Sequence, residues 1–453
     1  MEDQRKKHLR LVLVPSPFQG HINPMLQLGG ILYSKGLSII VAHTKFNYPN
    51  PSNHPEFNFL SIPDGLSDHD ISSPDKIGLV LKLNANCEKP FQDCMVKLMQ
   101  QQEIQGEVAC IIYDEISYFS ETAANNLKIP SIIFRTYNAI TFLVRTSATY
   151  QLRSQCQIPL PDPSSHEPAP EHPFLRLKDL PTPSSGSLEN YFKLLAAAIN
   201  IRRSKAIICN TMNCLEETSL AQLKQQTPIP IFAIGPLHKI VPVSRSSLIE
   251  EDINCISWLE KQTTNSVIYI SIGSLATIQE KDLAEMAWGL ANSKQPFLWV
   301  IRPGSIDNSD WIEALPEGFK ESVGERGCIV KWAPQKEVLA HQAVGGFWSH
   351  CGWNSTLESL CEGVPMICRP SFGDQKVNAR FVSHVWKVGL QLEDELERAE
   401  IERAVKRLMV DEEGKEMRQR AMHLKEMAES EIIEGGSSYN SLKDLVEFIS
   451  SSV

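Results

Sequence analysis

Trp332-Ala333-Pro334-Gln335, His350-Cys351-Gly352-Trp353-Asn354-Ser355, Glu358 and Asp374-Gln375 follow one another within one short stretch of a 453-residue chain. A tryptophan offers a flat face on which a base can stack, and the Ala333-Pro334 turn exposes backbone groups to a base edge. The turn at His350 runs into a helical pattern that starts near Ser355 and stops at Gly363. Its unpaired N-terminal amides and positive dipole end make a ready site for a diphosphate, to which His350 can add a donor. Asp374 and Gln375 supply two polar side chains suited to reading sugar hydroxyls. The stretch reads as a nucleotide-sugar site. Each part has a plainer alternative: an isolated tryptophan is more often core, and Ser355-x-x-Glu358 is also the spacing of a capping box, with Ser355 as the cap.

A second group lies in the first half. Gln19-Gly20-His21-Ile22-Asn23-Pro24 is a strand-to-helix turn that brings an imidazole to the end of a strand. A lone histidine is a poor candidate for catalysis, but a buried carboxylate on one ring nitrogen would orient the ring and leave the other to take a proton. Asp114, at the end of a later strand, is the candidate partner. Thr136 follows the next strand, and Ser274 sits in a small-residue turn, Ile272-Gly273-Ser274, where a phosphate could approach the backbone. Phe18, Tyr118, Phe119, Tyr137 and Phe142, with Thr136, could line an apolar pocket for a flat organic molecule. They serve equally well as packing residues.

Short apolar runs alternate with helix-period segments twice along the chain, which predicts two parallel sheets covered by helices on both faces. In such sheets ligands bind beyond the carboxyl ends of the strands. His21, Asp114, Thr136, Ser274, Trp332, His350 and Asp374 all fall at such ends, so two sheets facing each other would gather them into one cleft. The expected division is a first domain over 1–238, a linker over 239–252, a second domain over 253–434, and a last helix over 435–453 that crosses back to the first. Eight prolines between Pro159 and Pro183 predict a long irregular excursion.

Composition narrows the class. With 42% hydrophobic and 22% charged residues the chain is that of a soluble globular protein. Its 44 basic and 54 acidic residues give a net charge of −10, which argues against nucleic acid or an anionic membrane as partner. The eleven cysteines include no C-x-x-C pair and read as reduced thiols. No window is apolar enough for a spanning helix and the start is not that of a signal peptide, so a cytoplasmic monomer is expected. There is no dinucleotide fingerprint, phosphate loop, zinc helix or nucleophile elbow. Asp68-His69-Asp70 matches a D-x-D metal pattern but stands far in sequence from the sugar site, so no metal is expected.

These residues resemble the plant family of UDP-dependent glycosyltransferases that act on small molecules, family 1 of the glycosyltransferases. Trp332 to Gln375 looks like its signature box, and the likeness extends through Pro17 to Pro24 and over essentially the whole chain. Ile272, where many relatives carry phenylalanine, is a small departure. The resemblance implies an α/β architecture of the glycosyltransferase B fold, two Rossmann-like parallel-sheet domains facing a cleft, with the acceptor held mainly by the first and the donor by the second. By position it implies that Trp332 stacks on uracil, that Ala333 meets it through the backbone, and that Gln335 and Glu358 hold the ribose. Ser274, His350, Asn354 and Ser355, in the turn with Gly352, would meet the diphosphate; Trp353, Asp374 and Gln375 would face the sugar, a terminal glutamine usually accompanying glucose. His21 would be the base and Asp114 its partner. The implied reaction is inverting, metal-independent transfer of glucose from UDP-glucose, a co-substrate, to a small lipophilic acceptor such as a flavonoid, terpenoid or hormone. The alternatives are a nucleotide-sugar-binding regulator, or an epimerase or hydrolase on the same architecture.

Overall fold

The computed structural model describes residues 9–451 except 102–105, 148–149, 151–161, 163, 184–185, 200–202, 241–246, 308, 310 and 394. Part of the proline-rich excursion, residues 159–161 and 163, and part of the expected linker, 241–246, therefore lie outside the described residues. The chain divides into two compact units, 1–160 with 183–248 and 430–453, and 161–182 with 249–429.

The first unit holds a seven-stranded sheet built from β1 (Arg10–Val14), β2 (Ser38–Thr44), β3 (Asn58–Ile62), β4 (Val108–Asp114), β5 (Ser131–Arg135), β8 (Ala206–Cys209) and β9 (Ile231–Ala233). Its order is β3-β2-β1-β4-β5-β8-β9 and every pairing is parallel. The central strands read as unbroken apolar runs because both faces are covered, as parallel sheets require. Leu11, Leu13, Ile112, Ile132, Phe134 and Ile208 form one face of the core with Met25, Leu28 and Leu32 of the helix Gln19–Ser34. Leu442, Leu445 and Ile449 of the last helix, Ser437–Ser451, bury in the same cluster, so the C-terminal segment packs on the first sheet. Each such side chain contributes roughly 1.5–3 kcal/mol of burial.

The second unit holds a six-stranded parallel sheet of β10 (Val267–Ser271), β11 (Phe297–Val300), β12 (Gly327–Val330), β13 (Val344–Ser349), β14 (Met366–Cys368) and β15 (Gly389–Gln391), in the order β12-β11-β10-β13-β14-β15. Ile268, Ile270, Trp299, Trp348 and Ile367 meet Leu283 and Leu290 from one helix and Ile401, Val405 and Leu408 from another. Both sheets reverse strand order beside their first strand, between β1 and β4 and between β10 and β13. Ligands bind at that switch point in open α/β sheets.

The excursion departs from expectation. The sequence assigns it to the first domain, whereas residues 161–182 belong to the second unit. They form an antiparallel hairpin, β6 (Pro168–Ala169) with β7 (His172–Arg176), and a short turn, Leu177–Asp179. Ion pairs hold it there: Arg176 reaches Glu393 at 2.8 Å and Lys178 reaches the same carboxylate at 2.7 Å. Among the described residues no helix is long and apolar enough to cross a membrane.

Candidate active site

In the first unit the switch point carries an imidazole-carboxylate pair. β1 ends at Val14, and Pro15-Ser16-Pro17-Phe18 turn the chain into the helix Gln19–Ser34, whose first turn contains His21. β4 ends on Asp114, which is fully buried. His21 Nδ1 lies 2.7 Å from Asp114 Oδ2 and 3.2 Å from Thr136 Oγ1, while the His21 side chain keeps 27% of its surface exposed. Asp114 Oδ1 accepts from the Ile116 amide at 3.1 Å, which fixes the carboxylate. A carboxylate at Nδ1 holds a proton on that nitrogen, leaving the Nε2 lone pair as the basic end of the ring.

The aromatic residues around this pair divide into two groups. Phe18 lies edge-on to His21, 6.3 Å between ring centres, and Phe119, packed on Phe91, lines a small cavity with Val14, Ser16, Thr44 and Leu83 at the ends of the first strands. Tyr118 is partly exposed just before the helix Phe119–Leu127. Tyr137 and Phe142 instead serve a buried charge cluster. The Tyr137 hydroxyl donates to Glu115 Oε2 at 2.6 Å, Arg135 Nε donates to the same oxygen at 3.0 Å, and the Arg135 guanidinium lies over the Phe142 ring at 3.4 Å. Burial, together with the Glu115 charge, pushes the Tyr137 phenol well above its usual range, so it stays a donor.

The second unit builds a different kind of site. β13 ends at Ser349, and His350-Cys351-Gly352 lead directly into the helix Trp353–Glu362. This corrects the expected capping box. The helix starts at Trp353 with Gly352 as its N-cap and has no side-chain cap, so Ser355 lies inside the first turn and its Oγ accepts from Gln335 Nε2 at 2.9 Å. A glycine N-cap brings no side-chain oxygen of its own to the helix terminus, where the dipole favours an anion. Cys351 takes the left-handed conformation, φ 63°, an unusual state for a residue with a side chain and one that concentrates at functional turns.

His350 fits only because two neighbours are glycines. A Cβ on Gly352 would stand 2.5 Å from His350 Nε2, and one on Gly273, φ 81°, would stand 2.6 Å from the same atom. Ser274 follows Gly273 at the end of β10, so the two halves of the switch point meet across this ring. Burial pushes the His350 imidazole down to about 4, a hydrogen bond with the Ser271 backbone offsetting this only in part. The ring is therefore neutral near pH 7, so what it can offer a neighbour is a neutral N–H or lone pair rather than charge.

Beside this turn, Trp332 and Ala333 precede the helix Gln335–Ala340. Gln335 Nε2 also donates to Glu358 Oε2 at 2.7 Å, and Tyr269 donates to Gln335 Oε1 at 3.2 Å. Burial raises the Glu358 carboxyl above the usual range, while the bond from Gln335 opposes it. Farther along, Gln375 Oε1 accepts from the amides of Ser371 and Phe372 at 2.9 and 3.1 Å, which leaves the NH2 end as the donor for other use. Asn378 Nδ2 bridges Asp374 Oδ2, at 2.8 Å, and the carbonyl of Cys351, at 2.9 Å. Trp353 is buried and tilts against Trp386, 6.4 Å between ring centres. Ala333, Gln335, Ser355 and Glu358 thus share one corner of the unit, and Asp374 is tied to the His350 turn. Tyr269 and Asn378 escaped the sequence reading. Asn378, four residues after Asp374 on a helical pattern, carried a signal that could have found it; Tyr269, inside an apolar strand, carried none.

The D-x-D pattern has a structural occupation. Asp70 closes a capping box with Ser67 and pairs with Lys82 at 2.6 Å.

Known proteins resemble this chain over nearly its whole length. The sequence profile described as UDP-glucoronosyl and UDP-glucosyl transferase matches residues 248–431. The chain is 51% identical over 440 residues to UDP-glycosyltransferase 76E1 of Arabidopsis thaliana, covering 96% of each. It is 51% identical over 452 residues to flavonol 3-O-glucosyltransferase UGT76E12 of the same plant, covering 99% of this chain and 98% of that one. Among solved structures, the UDP-glucose complex of UGT71G1 from Medicago truncatula superposes with a TM-score of 0.81 at 28% identity, covering 99% of this chain and 100% of that one. The complex of Phytolacca americana UGT2 with UDP-2fluoro-glucose and pterostilbene gives 0.80 at 28% identity, covering 97% and 99%. The two-sheet architecture is thus the glycosyltransferase B fold, and the chain belongs to the plant family 1 UDP-glycosyltransferases.

Proposed function

We propose that this enzyme moves glucose from UDP-glucose to a hydroxyl, or a carboxyl, of a small lipophilic plant metabolite such as a flavonoid, terpenoid or hormone, with inversion to the β-glucoside. The observation that carries the reading is the 2.7 Å pairing of His21 Nδ1 with the buried Asp114 carboxylate. His21 Nε2 takes the acceptor proton as the acceptor oxygen attacks the anomeric carbon, the bond from that carbon to the UDP oxygen breaks, and Asp114 stabilises the imidazolium. In the second unit Trp332 stacks on uracil, Ala333 meets it through the backbone, and Gln335 with Glu358 holds the ribose. Ser274, His350, Asn354 and Ser355 meet the diphosphate, and Trp353, Asp374 and Gln375 face the glucose. Charge on the departing UDP is met by the helix terminus and neutral N–H and O–H donors, a preorganised arrangement that supplies the work a metal does elsewhere. Phe18, Tyr118, Phe119 and Thr136 form the acceptor side, with Tyr137 and Phe142 behind them. The similarity to a flavonol 3-O-glucosyltransferase supports glucose as the sugar and a flat phenol among the acceptors.

The test is incubation with UDP-glucose and a pool of flavonoids, terpenoid alcohols and hydroxy acids, reading hexosylated products by mass and their anomeric configuration by NMR. β-Glucosides formed at an unchanged rate in EDTA are expected. An α-linked product, or a rate restored only by added manganese, would overturn the mechanism.

A further inference from the structure

The two residues proposed to read the sugar, Asp374 and Gln375, start a short helix that is held at both ends by one segment. Ahead of them, the Gly373 amide donates to the carbonyl of Thr182 at 2.7 Å. Behind them, at the end of the helix Gln375–Arg380, Arg380 Nε donates to the carbonyl of Phe174 at 3.1 Å. The ring of Phe174 meets Phe381 edge-on at 5.3 Å. All these partners belong to residues 164–182, the hairpin and its following turn, and all lie within the second unit.

That segment is itself locked by one guanidinium. Arg176 donates Nε and NH2 to the two oxygens of Asp179, both at 2.8 Å, and NH1 to both oxygens of Glu393, at 2.9 and 2.8 Å. Lys178 adds a second cation at 2.7 Å from Glu393. Asp179 is 2% exposed and Arg176 only 12%, so this is a protected fork-to-fork arrangement rather than a solvated surface pair. Burial alone would raise the Glu393 carboxyl, yet hydrogen bonds from Arg176 and Lys178 hold it at about 2. Glu393 is therefore ionised well below neutral pH.

We infer that Arg176, through Asp179 and Glu393, is a positioning residue for donor-sugar recognition: it fixes the hairpin that anchors Gly373 and Arg380, and so sets where Asp374 and Gln375 present their side chains. The inference rests on the reading that Asp374 and Gln375 face the sugar. The residues proposed to meet the base, ribose and diphosphate stand on 332–335, 273–274 and the turn and helix at 350–362. Loss of the lock is therefore chiefly a defect in reading the sugar, with a smaller effect on the diphosphate turn through Asn378, which joins Asp374 to the Cys351 carbonyl. Displacement of supporting groups by about an ångström suffices for effects of this size.

The experiment compares binding of UDP and of UDP-glucose by calorimetry for the full-length protein, Arg176→Ala, Arg176→Lys, Glu393→Gln, Asp374→Ala and Gln375→Ala, with donor competition between UDP-glucose and UDP-galactose. Arg176→Ala should weaken UDP-glucose on the order of tenfold, hold UDP within about twofold, and narrow the preference for one sugar over the other. Arg176→Lys keeps the charge but loses the fork, and should recover only part of that loss. Glu393→Gln, a nearly isosteric change, gives the same pattern more weakly and covers the case in which Arg176→Ala fails to fold. Equal weakening of UDP and UDP-glucose would reduce the lock to a structural brace, and unchanged binding of both in a folded variant would remove it altogether. If Asp374→Ala and Gln375→Ala themselves leave the UDP-glucose to UDP ratio unchanged, the sugar-reading assignment fails first and the inference falls with it.

Discussion

The two units share a topology and use its switch point in opposite ways. In the first, the proposed base follows the first strand: β1 turns at Pro15–Phe18 and delivers His21, while β4 delivers Asp114. In the second, the first strand supplies only the small-residue turn Gly273-Ser274, and β13 runs through His350-Cys351-Gly352 into a helix with a glycine cap. One site is a side-chain pair with a basic nitrogen and a buried counter-charge. The other is backbone, dipole and a histidine kept neutral by burial. A single scaffold rule therefore places the chemistry, and the choice between side chain and main chain decides what chemistry it is.

The contrast can be broken first in the first unit. His21→Ala should lower turnover with hydroxyl acceptors by roughly 10³-fold while UDP-glucose affinity, read by calorimetry, stays unchanged; a matching loss of donor affinity would deny the separation of roles. Asp114→Asn should cost a similar order by misorienting the ring.

In the second unit the matching lesion is a methyl group. Gly352→Ala places a Cβ 2.5 Å from His350 Nε2 and should weaken UDP itself by on the order of 100-fold. Unaltered UDP binding would show that the ring does not need that space. Gly273→Ala adds strain from its positive φ to the same collision and should behave no better.

Smaller effects sharpen the picture. Glu358→Ala should raise the dissociation constant of UDP about tenfold and erase any preference for UDP over 2′-deoxy-UDP, because the proposed acceptor for ribose hydroxyls is gone. His350 gives a pH signature. Its folded value of about 4 lies below the ordinary 6.5, so its contribution to stability is fully present above pH 6.5 and is lost as pH falls towards 4. Between pH 7 and 5 this amounts to about 2 kcal/mol, which His350→Gln should remove from denaturant titrations of the protein.

Much of this was legible in the sequence because it is local. Parallel strands buried on both faces leave apolar runs, and the residues after them are read directly as ends of strands; Asp114, His350 and Ser274 stand there for that reason. Trp332 to Gln375 was legible because its turns and helices follow one another with little insertion. What escaped was non-local or brief. The helix Ala139–Thr146 owes its start to the Asn138 cap and to Glu216, whose oxygens accept from the amides of Ala139 and Ile140. No window around residue 139 contains Glu216. β15 is three residues long and begins with glycine, too short for a period to show. The pattern Ser355-x-x-Glu358 was read as a capping box because spacing alone cannot tell a capping serine from one already inside the first turn. Proline content predicts an irregular excursion over 159–183, whereas its described part, 164–182, holds a short hairpin that ion pairs to Glu393 and hydrogen bonds to Gly373 and Arg380 tie to the second unit.

That assignment bears on how such enzymes can be recombined. The backbone crosses between units near residues 160, 182, 248 and 429, so neither unit is one continuous stretch of chain. A chimera joined once near residue 248 would take its hairpin from one parent and the sheet that the hairpin braces from the other. Arg176 and Glu393 would then come from different ancestors, and parents that differ at either position would yield offspring with a mismatched brace. Grafts that carry residues 161–182 together with 249–429 keep that pair intact.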